Sequence, residues 1–361
     1  MIAIISNKID NYQNYIFKNN YKQNYKKEIK KCFNYNLKNH PNFFLNQLHY
    51  QSLKNRTVID HYKNIKNKNK IKLFIFLDVV ENIETFSKKP KILLIMEYKS
   101  IKPFLYERSN HKFFDKVFTF EKSLIDNKKY FFFNGLQVIT KKTIFLTNKK
   151  KNQKYCIFFS NKLNENKNLY FQKRLKIIDF FKNEQEKISL YGSNWDKFVV
   201  PMNAKFKKKI FFNIVIKFFD FFNFKIKKYN EIWKGYTRNL IKTSSKYKFS
   251  FVIENSSTLS GRIFLAFYSG TVPIYFGDTS KIKLIPKSCY INLKNFSTFD
   301  QLEKFISKID INKYSIYRKK IQNFLRSEKY QRFTVENDAI RIFKIVNMFK
   351  KVKFNKLKIF K

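Results

Sequence analysis

Apolar positions along this chain cluster in short runs of strand length, separated by polar stretches rich in lysine and asparagine. Residues 72–79 (KLFIFLDV), 91–96 (KILLIM) and 114–119 (FDKVFT) form one set of such runs. A second set comprises 155–160 (YCIFFS), 187–191 (KISLY), 247–253 (YKFSFVI) and 272–276 (VPIYF). Between them, Leu175, Ile178 and Phe181 recur at helical spacing within 169–181, and Ile263, Phe264 and Phe267 do so within 261–268. Strand, helix and strand in alternation predict an α/β fold with parallel sheets. Residues 1–70 are polar, aromatic and lysine-rich with weak periodicity, and predict mixed helix and loop.

The lysine and asparagine cluster at 148–154 separates the two sets and marks a domain boundary. The expected division is an amino-terminal α/β domain over 1–150, a carboxyl-terminal domain over 151–335 and a basic aromatic tail over 336–361. Residues 205–228 interleave apolar and basic side chains without turn signals. That pattern suits an amphipathic helix lying in a membrane interface, and equally an inserted helix packing on its own domain. The tail has the same character and the same two readings. No uninterrupted 18-residue apolar run occurs.

Composition changes this picture only in part. The formal charge is +49, from 75 Lys and Arg against 26 Asp and Glu. Such a field attracts anionic nucleotides and acidic membrane surfaces. An AT-rich codon bias also produces this mixture of Lys, Asn, Ile, Phe and Tyr, so charge alone does not indicate nucleic acid, and no nucleic-acid-binding module is recognisable. Cys32, Cys156 and Cys289 are odd in number and widely spaced, which argues against a disulfide framework and for a reducing compartment. His40, His49, His61 and His111 show no metal-ligand spacing, and the first fifteen residues lack the basic start and apolar core of a cleaved signal peptide. The expectation is a cytoplasmic protein that meets the inner face of a membrane peripherally.

Candidate chemistry concentrates at 247–278. A strand-length run ends in Glu254, Asn255 and Ser256, and open α/β sheets bind ligands at the carboxyl ends of their strands. The following helical segment points its amino terminus at the same crevice, where unpaired backbone amides attract phosphate. Gly270, Pro273 and Gly277 bracket the next strand.

The order of these motifs resembles the α-1,3-fucosyltransferases of glycosyltransferase family 10. The residues that carry the likeness are YKFSFVIENS, SGRIFLAFYSGTVPIYFGD and PKSCYINLKNFSTFDQLEKFI, dense over 245–310. LYFQKRLKIIDFF, ISLYGSNWDKF and WKGYTRN extend it upstream in the same domain, and LLIMEYKSIKPF and HKFFDKVFTFEKSLIDNKKYF extend it into the first half. Coverage is about 72–330.

The resemblance implies a GT-B architecture, two Rossmann-like domains facing a cleft, with GDP-fucose held by the carboxyl-terminal one and transferred with inversion to a glycan or lipid-linked oligosaccharide. A single displacement needs a base on the acceptor hydroxyl and cations for the departing diphosphate. The family's acceptor-side glutamate matches Glu97, its helix arginine matches Arg174, and Arg262 stands where its motif has lysine. Asn255 matches its donor-contacting asparagine, while Glu254 and Ser256 brace the loop. No paired-aspartate metal motif is present and no cofactor is implied beyond the donor; metal dependence stays open.

Three departures bear on that site. Gly261 occupies the position of the glutamate expected on the donor ribose, Thr258 replaces a common aromatic residue, and Tyr98 replaces the proline after the acceptor-side glutamate. Losing a carboxylate that accepts ribose hydrogen bonds weakens donor binding. The alternatives left by these departures are another nucleotide sugar on the same fold, loss of activity, or a basic membrane-surface protein on a transferase scaffold.

Overall fold

The computed structural model describes residues 1–6, 40–97, 99, 102–135, 139, 145–146, 151–161, 169–184, 187–197, 199, 206–221, 228–255, 259–277 and 282–358. The chain divides into two compact units, Met1–Lys141 with Gln331–Lys361, and Lys142–Tyr330.

The first unit is built on a six-stranded sheet. Its strands are β1 (Ile2–Ser6), β2 (Ile59–His61), β3 (Leu73–Leu77), β4 (Lys91–Leu94), β5 (Lys116–Thr119) and β6 (Tyr130–Phe132), in the order β2-β1-β3-β4-β5-β6. Every pair is parallel. β3 and β4 read as continuous apolar runs because parallel strands are covered on both faces. Alternate side chains feed two cores: Leu73, Ile75 and Leu77 on one face, Phe74 and Phe76 on the other.

Two expectations for this unit need correction. Residues 1–70, read as helix and loop, contribute the fully buried strand β1 between β2 and β3. Four apolar residues and a serine without alternation carry too little pattern to mark a central strand, and the burial that selects it comes from both neighbours. Residues 336–358, read as part of a tail, lie in a helix, Val335–Lys358, counted with the first unit, and its Ala339, Ile342, Phe343 and Val346 are buried in the same core as Phe44, Leu45 and Leu48 of the helix α1 (His40–Lys54). The Asn347 side chain donates to Asn55 Oδ1 at 2.7 Å, tying the chain's last helix to the turn after α1.

The second unit carries a five-stranded sheet of β7 (Gln153–Phe158), β8 (Ser189–Tyr191), β9 (Tyr247–Ile253), β10 (Val272–Phe276) and β11 (Ile291–Asn292). The order is β11-β10-β9-β7-β8, with every pair parallel. The chain lays β8 on one side of β7 and then crosses to place β9 on the other. The topological switch point therefore lies between β7 and β9, where doubly wound sheets leave a crevice at the strand ends.

Helix α2 (Leu169–Asn183) covers one face, with the Phe181 ring 4.9 Å from Tyr155 and 5.0 Å from Phe251. The remaining helices are α3 (Phe206–Phe221), α4 (Leu240–Ser244), α5 (Arg262–Tyr268), α6 (Phe299–Ser307), α7 (Ile311–Arg326) and α8 (Glu328–Gln331), with the last helix of the chain being α9 (Val335–Lys358). Phe264 and Phe267 of α5 are buried and pack against Tyr330 and Phe324. Cys156 and Cys289 are both free and buried; Cys32 lies outside the described residues.

Candidate functional site

β9 ends at Ile253, and the carbonyl of that residue is the hub of the site. Arg174, carried by α2, donates through Nη2 to this oxygen at 2.6 Å and to Asn255 Oδ1 at 2.7 Å. Arg262, the first residue of α5, donates through Nη1 to the same oxygen at 2.9 Å. Arg174 is only 5% exposed, with its guanidinium 4.6 Å above the Phe159 ring just past the end of β7. It thus spans the switch point from β7 to β9.

Glu254 follows directly and is buried at 1% exposure. Its backbone amide extends the β9–β10 ladder to the Phe276 carbonyl at 2.9 Å, and its carboxylate accepts the Ser260 amide at 2.8 Å. Burial raises the pKa of this carboxyl, and Arg262 opposes the shift more strongly than Arg174 does. Burial likewise depresses the Arg174 guanidinium, with Arg262 acting in the same direction and Glu254 against it. Two guanidiniums and a single reluctant carboxylate leave an excess of positive charge at the end of β9, in a place largely shielded from water. Such an arrangement favours an anionic ligand.

The site is also tightly packed. A Cβ at Gly277 would lie 2.4 Å from the Tyr275 hydroxyl and 2.5 Å from Glu254 Cγ, so the turn after β10 has room for glycine alone. Gly261, the residue before α5, has φ −66 and ψ −7, an ordinary helical conformation open to any side chain. Glycine is not required there by the backbone.

The structure brings Arg174, Glu254, Asn255 and Arg262 together. Arg174 is committed to Ile253 and Asn255 and acts first as the brace of the turn. Glu254 holds the loop by accepting the Ser260 amide. Ser256 and Thr258 lie outside the described residues. Glu97 belongs to the other unit, after β4. There its backbone amide and that of Met96 donate to Asp78 Oδ1 at 3.3 and 2.6 Å, and its carbonyl accepts the Tyr106 hydroxyl at 2.7 Å. Asp78 takes a left-handed φ of 53 at the end of β3, and burial raises its pKa.

Two further cations went unnoticed in the sequence. Lys294 donates to the Gly277 carbonyl at 2.9 Å and stands 5.3 Å from the Phe276 ring centre. Lys173 stands 5.6 Å from the same ring and 4.9 Å from Phe299, with burial depressing its pKa. In a chain with so many lysines nothing in the local pattern separates these two from the rest. Among the described residues, no three His, Cys, Asp or Glu side chains cluster as metal ligands would.

Comparison with known proteins gives one family match: the model described as glycosyltransferase family 10 (fucosyltransferase) C-term matches residues 148–353. Among solved structures, an alpha1,3-fucosyltransferase is 15% identical, covers 95% of this chain and 88% of its own, and superposes with a TM-score of 0.47. The same type of enzyme crystallised with GDP-fucose is 14% identical, with coverages of 96% and 89% and a TM-score of 0.47. A sucrose-phosphate synthase from Thermosynechococcus elongatus is 8% identical, with coverages of 88% and 80% and a TM-score of 0.49. No curated protein matches the chain by sequence.

Proposed function

Because this chain belongs to glycosyltransferase family 10, we propose that its second unit binds GDP-fucose and that the enzyme transfers fucose, with inversion, to a hydroxyl of a glycan acceptor. The observation that carries this reading is the convergence of Arg174 and Arg262 on the Ile253 carbonyl beside buried Glu254. A nucleoside diphosphate supplies the negative charge that this cluster lacks, at the strand ends where doubly wound sheets hold nucleotides. The two parallel-sheet units are those of the GT-B class.

In this mechanism Arg262 holds the diphosphate, since its half-buried guanidinium has donors beyond the one spent on Ile253. Arg174 adds charge from behind and fixes Asn255 by donating to its Oδ1. Lys173 and Lys294 add to the positive field around Phe276. As the bond from the sugar carbon to the phosphate oxygen breaks, charge grows on the leaving GDP and these cations stabilise it.

Glu97 serves as the base. It takes the proton of the acceptor hydroxyl while that oxygen forms the new bond to the sugar carbon. Its support is the turn after β4, clamped by Asp78 from β3 and by Tyr106. The acceptor is a glycan of a surface polysaccharide or a lipid-linked oligosaccharide, approached through peripheral contact with a membrane.

A second reading keeps the fold and inversion but changes the sugar nucleotide. It is favoured by Gly261, which stands where the family motif has a glutamate and where the backbone would accept one. Titration calorimetry with GDP-fucose and GDP-mannose separates the two. Selective binding of GDP-fucose with turnover abolished in Glu97→Gln is the expected result. GDP-mannose binding as tightly would reject the fucose reading, and undiminished turnover in Glu97→Gln would reject the base.

A further inference from the structure

Helix α3 (Phe206–Phe221) carries apolar residues on two sides, with Lys209, Asn213, Lys217 and Asp220 on the sector between them, and the two sides meet different surroundings. Phe212, Val215, Ile216 and Phe219 are half-buried, so this side packs on protein. Ile210, Phe211, Ile214, Phe218 and Phe221 are 47%, 65%, 62%, 59% and 82% exposed. At about 100° per residue, those five positions fall within roughly 100° of arc and form one stripe along the helix. Among the described residues, no other helix carries more than two exposed large apolar residues. A contiguous stripe of this kind marks an interaction surface.

We propose that this face docks on the surface of an anionic lipid bilayer, with the helix lying in the plane of the headgroups. Charge selects the occupant. Residues 205–228 contain eight lysines and one acidic residue, Asp220, and Lys217 is exposed at the margin of the stripe. A second copy of a chain with a formal charge of +49 is repelled by the same lysines, whereas an acidic lipid surface attracts them while the rings enter the acyl boundary. No helix among the described residues is long and apolar enough to cross a membrane, so contact at the surface is the mode this helix supports. The inference gives a structural element to the peripheral contact proposed above, on which it rests; it does not depend on the identity of the donor.

Sedimentation of the full chain with phosphatidylserine-containing vesicles tests it, with phosphatidylcholine vesicles as reference and GDP-fucose binding in solution measured in parallel. The wild type is expected to sediment with the anionic vesicles, and Phe211→Ser/Phe218→Ser to partition at least about tenfold less, with donor binding unchanged in both. A Phe218→Trp variant is expected to be quenched by brominated anionic lipid. Equal sedimentation of the serine variant, absence of wild-type binding, or an unquenched Trp variant overturns the proposal. A wild-type dimer that the serine variant converts to monomer also overturns it, because the stripe is then a contact between copies. Vesicle binding by a chain that binds no GDP-fucose leaves the docking intact and rejects only the donor.

Discussion

Arg174 and Arg262 donate to the same atom, the carbonyl oxygen of Ile253, at 2.6 and 2.9 Å. Two like charges sharing one acceptor repel, and the Glu254 carboxyl beside them acts against that repulsion. Their burial differs: Arg174 is 5% exposed and holds the turn, while Arg262 is half-buried.

Arg262→Ala is expected to weaken GDP-fucose binding by roughly tenfold to a hundredfold, the value of a charge-assisted hydrogen bond of about 1.5–3 kcal/mol. Calorimetry reads the change directly. A dissociation constant within about twofold of wild type, which is under half a kcal/mol, would remove Arg262 from the diphosphate site.

Gly261→Glu is expected to raise GDP-fucose affinity, because φ −66 and ψ −7 admit a side chain without strain and a carboxylate there can accept ribose hydrogen bonds. The gain is on the order of 1 kcal/mol, or about fivefold. Lower affinity in the variant would instead show a site rebuilt for another donor.

Gly277→Ala should lower both thermal stability and donor affinity. The added methyl collides with the Tyr275 hydroxyl and with Glu254 Cγ, and the resulting displacement costs about 1–3 kcal/mol. It also moves the carboxylate that holds the Ser260 amide at 2.8 Å. An unchanged melting temperature would mean that this turn yields without disturbing Glu254.

Asp338, near the start of α9, makes stability depend on pH. Its carboxyl accepts the Asn134 backbone amide at 3.2 Å and side-chain amide at 2.9 Å. Burial nonetheless pushes it up to about 8, with Arg341 and the Asn134 bonds opposing. Unfolded, an aspartate titrates near 3.9. Between the two values the folded chain keeps a proton that the unfolded chain has released. Stability contributed by the neutral acid is therefore complete below the unfolded value, declines by up to about 1.4 kcal/mol per pH unit, and is lost as pH passes the folded value. Melting temperatures recorded across this window are expected to fall less steeply for Asp338→Asn than for wild type. Identical slopes would assign the pH dependence to other groups.

Local pattern was sufficient for much of this protein. The runs 72–79, 91–96, 114–119, 155–160, 187–191, 247–253 and 272–276 were legible as strands, and Leu175, Ile178 and Phe181 marked α2, because burial on two faces or one leaves a periodic trace in the neighbouring residues themselves. The motif around Glu254, Asn255 and Arg262 identified the family and the strand end of the second sheet at which those side chains converge.

What tertiary structure alone decided has no such trace. Arg174 meets Asn255 across 81 positions, and nothing near Arg174 distinguishes it from a solvated helix charge. β1 is a central strand only because β2 and β3 flank it, and α9 returns to the first unit because its apolar side matches that of α1. The two apolar sides of α3 are alike in sequence, yet one is covered and the other bare. Hydrophobic periodicity records that a side chain prefers to leave water; which surface receives it, and which pairs of charges it brings together, depends on contacts between residues far apart in the chain.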